Sequence, residues 1–443
     1  MGVKKLMQWF GNKSVNKSLH KIAVLGTGYV GLTTGTCLAH LGHQVVCVDN
    51  DLNKLEMLNV GIMPIFENGL PELVRELQLS GRLTFTSNMM EAIATAEFVF
   101  LCLPTPQGDD GFADLSAITS VVKQISGHLL PETIVVNKST VPVNSAFLVR
   151  DLLDDPQIYV VSNPEFLREG SAVTDFLNPD RIVIGSESQI AGERVAGLYL
   201  GIRSPVVVTD PVSAESIKYM ANAFLALKIS FVNQAAEFCD AVGADVLEVM
   251  RGLSFDPRIG GTFLTPGPGW GGSCFPKDTE ALIAMAKSVH QPMTLIEEAV
   301  SANSIHINSV AELIKAEARA TGVSNPRIAL LGLSFKAETD DTRCSPALEI
   351  IKILESNFDN LTAFDPLAVT PNEFHIHRSK TQNEALTGAD LTVILTEWSA
   401  FRSLEPSTVR ASMRGDTIID TRYLLDAEQF ARHDLRVVRI GQQ

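Results

Sequence analysis

Short apolar runs of strand length alternate with stretches of helical period through the first 210 residues. Lys21–Gly26, Gln44–Val48, Phe98–Leu103, Thr133–Lys138, Tyr159–Ser162, Arg181–Gly185 and Pro205–Val208 read as strands, most of them separated by helical patterns. Strand alternating with helix predicts a parallel, doubly wound sheet. The texture then changes. From Ser213 to about Val242 the apolar positions Ile217, Met220, Ala221, Phe224, Leu227 and Phe231 recur at helical spacing with no internal Gly or Pro, which predicts one long helix. Further helices follow from about Pro276 to Ala320. So much apolar helical surface serves either plain intradomain packing or a dimer interface. At Asn325–Pro326 the pattern resets. Arg327–Gly332, a helix over Pro346–Leu354, and strands at Leu361–Phe364, Leu391–Leu395 and Thr417–Asp420 predict a second, smaller parallel α/β domain without a glycine fingerprint of its own. The expected divisions are an N-terminal extension (1–20), a first α/β domain (21–210), a central helical domain (211–322) and a C-terminal α/β domain (323–443).

Length and composition agree with several domains of ordinary globular type: 443 residues, 45% hydrophobic and 20% charged. A net charge of −15 argues against nucleic acid or an anionic membrane surface as partner, while leaving room for an anionic small substrate held by a local basic cluster. The six cysteines form no CxxC pair and no metal-ligand spacing, so no metal is expected. Cys37, Cys47 and Cys102 lie in apolar runs and read as buried fillers. Scattered free thiols fit a reducing cytoplasm. The first 20 residues are basic but lack the apolar core of a signal peptide. Leu6, Met7, Trp9 and Phe10 form either a short sticky helix or a frayed terminus. No apolar run approaches the ~20 residues of a membrane span.

Gly26-Thr27-Gly28-Tyr29-Val30-Gly31 lies between a strand and a helix. Its first glycine permits the tight turn, the second lets backbone approach a pyrophosphate, and the third lets the helix pack on the sheet. Asp49 ends the next strand, where a carboxylate binds ribose hydroxyls. No Arg adjoins it, and Asn50-Asp51 disfavours a 2′-phosphate, so NAD is expected rather than NADP. Leu103-Pro104-Thr105-Pro106 follows a strand and is either a cofactor-holding turn or a simple loop. Asn163–Gly170 packs Glu165, Arg168 and Glu169 into five residues, as a ligand loop or a solvated one. Lys218 and Asn222 share a face of the long helix. This lysine is either a surface charge or a semi-buried group that binds an alkoxide or carbonyl oxygen.

The sharpest signal is Gly267-Pro-Gly269-Trp-Gly271-Gly272-Ser-Cys274-Phe-Pro276-Lys277-Asp278. Glycines let backbone approach a ligand, and Pro276 suits the first turn of a helix. Cys274 then sits at a helix N-terminus, where the dipole favours a thiolate, with Asp278 four residues on. That makes it a nucleophile candidate. Thiol, lysine, NAD site and carboxylates together suggest a four-electron oxidation. A primary alcohol becomes an aldehyde, the thiolate adds to it, a second hydride leaves to give a thioester, and water releases a carboxylate. An ordinary two-electron hydroxy-acid dehydrogenase needs no nucleophilic cysteine, and neither does a non-catalytic NAD sensor.

These motifs resemble the UDP-glucose/GDP-mannose dehydrogenase family over about residues 21–425. The resemblance rests on GTGYVG, LPTP, STVP (Ser139–Pro142), NPEFLREGSA, the Lys218/Asn222 helix, GGSCFPKD and FKAETDDTRCSP (Phe335–Pro346). Asp256-Pro-Arg258-Ile-Gly260, Phe275 after the cysteine, and Thr396-Glu-Trp398 with Phe401-Arg402 look like the UDP-glucose branch. The resemblance implies two Rossmann-like doubly wound parallel-sheet domains joined by a long central helix and a helical dimerisation block, hence a homodimer or higher homo-oligomer. It implies oxidation of UDP-glucose to UDP-glucuronate, or the same chemistry on GDP-mannose or a UDP-N-acetylhexosamine. Cys274 would be the nucleophile; Lys218 and Asn222 would stabilise alkoxide and oxyanions. Asp278 and Thr140 would hold or activate water, and Glu165 would assist hydrolysis. Besides the Gly26–Gly31 loop, NAD contacts would fall to Asp49, Lys54, Pro104, Thr105, Thr140, Glu169, Lys277 and Arg343. The nucleotide sugar would meet Glu165, Phe166, Leu167, Arg168, Lys218, Asn222, Phe263, Leu264, Gly271, Lys336 and Arg422. Arg258 would reach it from the partner subunit. One departure stands out: Cys344 follows Arg343 where the family usually carries Glu.

Overall fold

The computed structural model describes residues 19–108 and 110–442. The expected alternatives for Leu6, Met7, Trp9 and Phe10 fall outside these residues. The chain forms two units. One takes residues up to Thr105 together with Leu115–Ser216, and the other takes Pro106–Asp114 together with Ile217 onward. The central helices therefore group with the second sheet.

The first unit is built on eight strands: β1 (Lys21–Leu25), β2 (Gln44–Val48), β3 (Leu83–Thr86), β4 (Phe98–Leu101), β5 (Ile134–Asn137), β6 (Tyr159–Ser162), β7 (Ile182–Ser186) and β8 (Val206–Thr209). Their order is β3-β2-β1-β4-β5-β6-β7-β8. The first six strands are parallel and reverse direction of growth between β1 and β4, which is the switch point where ligands bind in such sheets. β7 departs from the expected all-parallel sheet and runs antiparallel to β6. β4 and β5 are buried along their whole length, as Phe-Val-Phe-Leu and Ile-Val-Val-Asn. Strands covered on both faces read as unbroken apolar runs, so no alternation was there to be seen. Cys37, Cys47 and Cys102 are buried as expected, and burial pushes the Cys37 and Cys102 thiols up to about 12.

The second unit carries β9 (Ile328–Leu331), β10 (Leu361–Phe364), β11 (His377–Arg378), β12 (Leu391–Ile394), β13 (Thr417–Asp420) and β14 (Arg436–Val438), in the order β11-β10-β9-β12-β13-β14 and parallel throughout. The two sheets share a design. Asp49 after β2 accepts from the Thr27 amide and hydroxyl, and Asp365 after β10 accepts from the Ser334 amide and hydroxyl. Gly26 and Gly332 both take positive φ at the first turn. The predicted long helix spans Pro211–Val242 and is followed by helices Val246–Ser254, Phe275–Ser288 and Thr294–Ala320. Among the described residues no helix is long and apolar enough to cross a membrane.

Candidate active site

In the first unit, five loops leave the C-terminal ends of parallel strands on one edge of the sheet. They follow β1 (Gly26–Gly31), β2 (Asp49), β4 (Pro104, Thr105), β5 (Ser139, Thr140) and β6 (Asn163–Gly170). The fingerprint glycines divide the work as their spacing predicts. A Cβ on Gly26 would lie 2.5 Å from the Cys102 carbonyl oxygen, and one on Gly31 would lie 1.9 Å from the Gly26 carbonyl oxygen. A Cβ on Gly28 would meet nothing within 4 Å. Gly28 caps the helix Tyr29–His40, which has no side-chain cap and no acidic residue in its first turn. An uncapped N-terminus behind an open glycine fits the pyrophosphate of a dinucleotide.

Asp49 is nearly buried. It accepts from Thr27 Oγ1 at 2.6 Å, the Asp51 amide at 3.0 Å and Lys54 Nζ at 3.0 Å. Burial pushes this carboxyl up, but those donors outweigh it and hold it at about 2. Lys54 thus stands beside the acid as a cation, where the local sequence showed no Arg. Thr105 Oγ1 donates to the Thr140 carbonyl at 2.9 Å, and Ser139 Oγ donates to the Leu103 carbonyl at 2.6 Å. These two bonds lash the LPTP and STVP loops together.

The loop after β6 is over-determined. Its Glu165 carboxylate accepts the Leu167 amide at 2.5 Å. Arg168 makes a two-pronged ion pair with Asp175, at 3.0 and 2.6 Å, and its guanidinium is exposed. Arg181 stacks on the Phe166 ring at 3.6 Å. Glu165, Phe166, Arg168 and Arg181 line a cavity of about 90 Å³ with the buried Lys138, whose Nζ donates to Asn163 Oδ1 at 3.1 Å. Sequence reasoning missed the anchor of this loop, Glu67. Its buried carboxylate accepts the Tyr29 hydroxyl at 2.5 Å and the Gly170 and Ala172 amides at 2.8 Å each. It joins the dinucleotide loop to the NPEFLREGSA loop. A lone Glu in Ile-Phe-Glu-Asn-Gly carries no local sign of that.

In the second unit the structure brings together Asn222, Lys277 and Asp278. Asp278 is 1% exposed and accepts from Asn222 Nδ2 at 2.6 Å and Lys277 Nζ at 2.7 Å. Lys218, one turn before Asn222, is buried, which excludes the surface-charge alternative. Cys274 is the N-cap of helix Phe275–Ser288, with Pro276 in the first turn. It is half-buried, its sulfur is 3.6 Å from Ser273 Oγ, and its carbonyl accepts the Asp278 amide at 2.9 Å. The collar before it needs its glycines. A Cβ on Gly271 would lie 1.8 Å from the Cys344 carbonyl oxygen, and Gly272 holds φ +86° against the Phe335 ring. Cys344 therefore contributes backbone to the collar, and Arg343 beside it is paired with Asp341. Of the remaining expected sugar contacts, Leu264 is buried and Phe263 is exposed at φ +59°. Arg422 donates to the Leu395 carbonyl at 2.9 Å, and Lys336 lies over the Phe335 ring. Arg258 is exposed and paired with Asp256.

Residues 20–203 match the NAD binding domain of the UDP-glucose/GDP-mannose dehydrogenase family, residues 212–305 its central domain and residues 329–427 its UDP binding domain. The chain belongs to this family. It is 41% identical over 435 residues to the UDP-glucose 6-dehydrogenase of Rhizobium meliloti, covering 95% of this chain and 99% of that one. It is 42% identical over 417 residues to UDP-glucose 6-dehydrogenase YwqF of Bacillus subtilis, covering 91% and 94%. The UDP-glucose dehydrogenase structure from Pyrobaculum islandicum superposes with a TM-score of 0.88 at 32% identity, covering 98% of this chain and 100% of that one. The protein is thus an NAD-dependent dehydrogenase of the nucleotide-sugar family, with the two-sheet fold that its motifs implied. The open Gly28 cradle and the Asp49 carboxylate fit NAD.

Proposed function

We propose that the protein oxidises UDP-glucose to UDP-glucuronate in two two-electron steps through a covalent adduct on Cys274. The observation that supports this best is the buried Asp278 carboxylate, in the first turn of the helix that Cys274 caps, bonded to Lys277 beside it and to Asn222 of the long helix. The choice of UDP-glucose rests on the relatives at 41–42% identity, which carry that name over nearly the full chain.

NAD, when bound at the Gly26–Gly31 loop, would supply the hydride acceptor, one molecule for each of the two steps. The chain's own groups do the rest. Lys218 and Asn222 stabilise the C6 alkoxide and later the oxyanions, as buried, fixed donors do for developing charge. The helix N-terminus favours the Cys274 thiolate. Its sulfur adds to the C6 aldehyde to give a thiohemiacetal, and loss of the second hydride leaves a thioester. Water, positioned by Asp278, cleaves the C–S bond and returns the thiolate with one carboxylate product. Arg343, Lys277 and Glu169 contact the dinucleotide. Lys336, Arg422 and the Phe263–Gly271 loop hold the nucleotide sugar.

The working unit is a dimer, and Arg258 acts on the partner's substrate. Met220, Phe224, Phe231 and Phe238 are 47–66% exposed and spaced by 4, 7 and 7, so they form one stripe on the long helix. The test of the chemistry is stoichiometry. Two NADH per UDP-glucuronate and no free aldehyde are expected by mass spectrometry and absorbance. One NADH with accumulating aldehyde overturns the mechanism, and a stronger response to GDP-mannose or a UDP-N-acetylhexosamine overturns the substrate.

A further inference from the structure

The collar that ends at Cys274 is gripped at its start by a histidine set between two acceptors. His306, on helix Thr294–Ala320, is 1% exposed. Its Nδ1 lies 2.7 Å from Glu237 Oε1 and its Nε2 lies 2.8 Å from the Gly267 carbonyl oxygen. A carbonyl oxygen has no proton to give, and neither has an ionised carboxylate. Both contacts are hydrogen bonds at once only when both ring nitrogens carry protons. The Glu237 carboxyl is held below the usual carboxylate range, chiefly by donation from His306 and against its burial, so it is the ionised partner.

The other grips on the collar do not titrate. Asn233 Oδ1 accepts the Gly267 amide at 3.0 Å, Asn303 takes the Trp270 amide and returns a bond to its carbonyl, both at 2.9 Å, and Ser230 Oγ accepts Trp270 Nε1 at 2.8 Å. Gly267–Trp270 itself carries no titratable side chain. The charged groups around the pair come from three elements. The long helix brings Glu237 and, one turn on, Asp240, whose carboxylate accepts the Gly441 amide. The loop after β13 brings Arg422, whose Nη1 lies 3.1 Å from where a Gly267 Cβ would stand. The helix of His306 adds the Lys315–Glu312 pair two turns on.

We infer that His306 in its imidazolium form is a positioning residue for the Gly267–Cys274 collar, and that loss of its proton releases the start of that collar. A neutral ring has one donor facing two acceptors, so one contact of under 3 Å turns repulsive. The sign follows: the collar is held at lower pH and loosens as pH rises. This consequence for catalysis rests on the reading of Cys274 given above.

The test uses the full-length chain, His306→Gln and His306→Leu. A Gln amide can still donate to the Gly267 carbonyl but has no proton to lose. Trp270, inside the collar, supplies a readout independent of activity, taken as the emission difference from a Trp270→Phe background. Across a pH series in which both proteins stay folded, the wild-type emission should shift as pH rises and that of His306→Gln should stay flat. His306→Leu should show the released emission at every pH. The ratio of kcat/KM between wild type and His306→Gln should fall roughly five- to tenfold across the series, the equivalent of one buried hydrogen bond. An equal emission response in wild type and His306→Gln overturns the proposal. Emission that follows His306 with a flat activity ratio upholds the histidine's grip and instead overturns the collar as the reacting segment.

Discussion

Replacing Asp278 by Asn keeps the shape of the side chain and removes its charge, which isolates what the carboxylate does. In the wild type one oxygen accepts from Asn222 and the other from Lys277, and the group sits in the first turn of a helix. Asn222 can turn its amide to match an introduced amide, so that bond survives as a neutral one and loses about half its strength, roughly 1 kcal/mol. Lys277 loses its ion pair. Its side chain is 21% exposed, so water replaces part of the loss and ~1 kcal/mol is a fair measure. Loss of a charge at a helix N-terminus adds ~0.5 kcal/mol. The sum, about 2–3 kcal/mol, should lower the thermal midpoint of the second unit by ~5–10 °C in calorimetry. Activity should fall further than stability explains. A group that positions a reacting water contributes ~10²–10⁴-fold, so turnover at a temperature well below both midpoints should drop by at least 10²-fold. A single-turnover trace should show the first NADH forming at near-normal rate and the acid product appearing slowly. A midpoint within ~1 °C of wild type would falsify the bonding scheme, because it equals an effect of under ~0.5 kcal/mol. A normal rate of acid release in a destabilised protein would leave Asp278 as a structural tie and move the water elsewhere.

Asp49→Ala should narrow the preference for NAD over NADP by ~1–3 kcal/mol in catalytic efficiency, and an unchanged ratio removes Asp49 from the ribose. The same carboxyl, held at about 2, contributes stability that is present above the ordinary Asp range and is lost as pH falls toward 2. Asp49→Asn should therefore flatten the acid limb of a denaturation-versus-pH curve, and an unaltered limb contradicts the pairing with Thr27 and Lys54. Cys274→Ser should stall at hydrolysis, since an ester is a poorer acyl donor than a thioester, and intact-protein mass spectrometry should find the sugar-nucleotide adduct. Near-normal turnover of that variant excludes Cys274 as nucleophile. Phe231→Glu, which puts a charge on the apolar stripe, should yield monomers in sedimentation, whereas an intact dimer moves the interface off the long helix. Mixing Arg258→Ala with Cys274→Ala chains should restore part of the activity, and no rescue over either parent denies the trans role.

Legibility in the sequence followed interaction range. The Gly26–Gly31 turn after β1, Asp49 at the end of β2 and the Cys274 cap before its helix are each marked by residues close in sequence, so spacing alone located them. The strands β3, β11 and β14 went unseen because Leu83–Thr86, His377–Arg378 and Arg436–Val438 are too short or too polar to show a period. They are strands because a neighbour supplies the ladder. The antiparallel β7 was equally invisible, since Arg181–Gly185 has the same apolar run whichever way it points.

The candidate site shows the same limit, with a physical consequence. Lys218 could be read as a surface charge or a buried donor, and only packing decides, because helical spacing gives the face and not what covers it. Glu67 and His306 lie beyond that limit altogether: their partners are 38 to 105 residues away for the first and 39 to 69 for the second. Both are buried ionisable groups whose side chains bond to a loop or to a helix that holds one. A buried carboxylate that accepts three donors is strongly penalised if any donor moves, since the remaining charge has no water to turn to. The loops proposed to carry the reacting groups can therefore be glycine-rich, as Gly267–Gly272 is, because their positions are fixed from outside by groups that the motif itself does not contain.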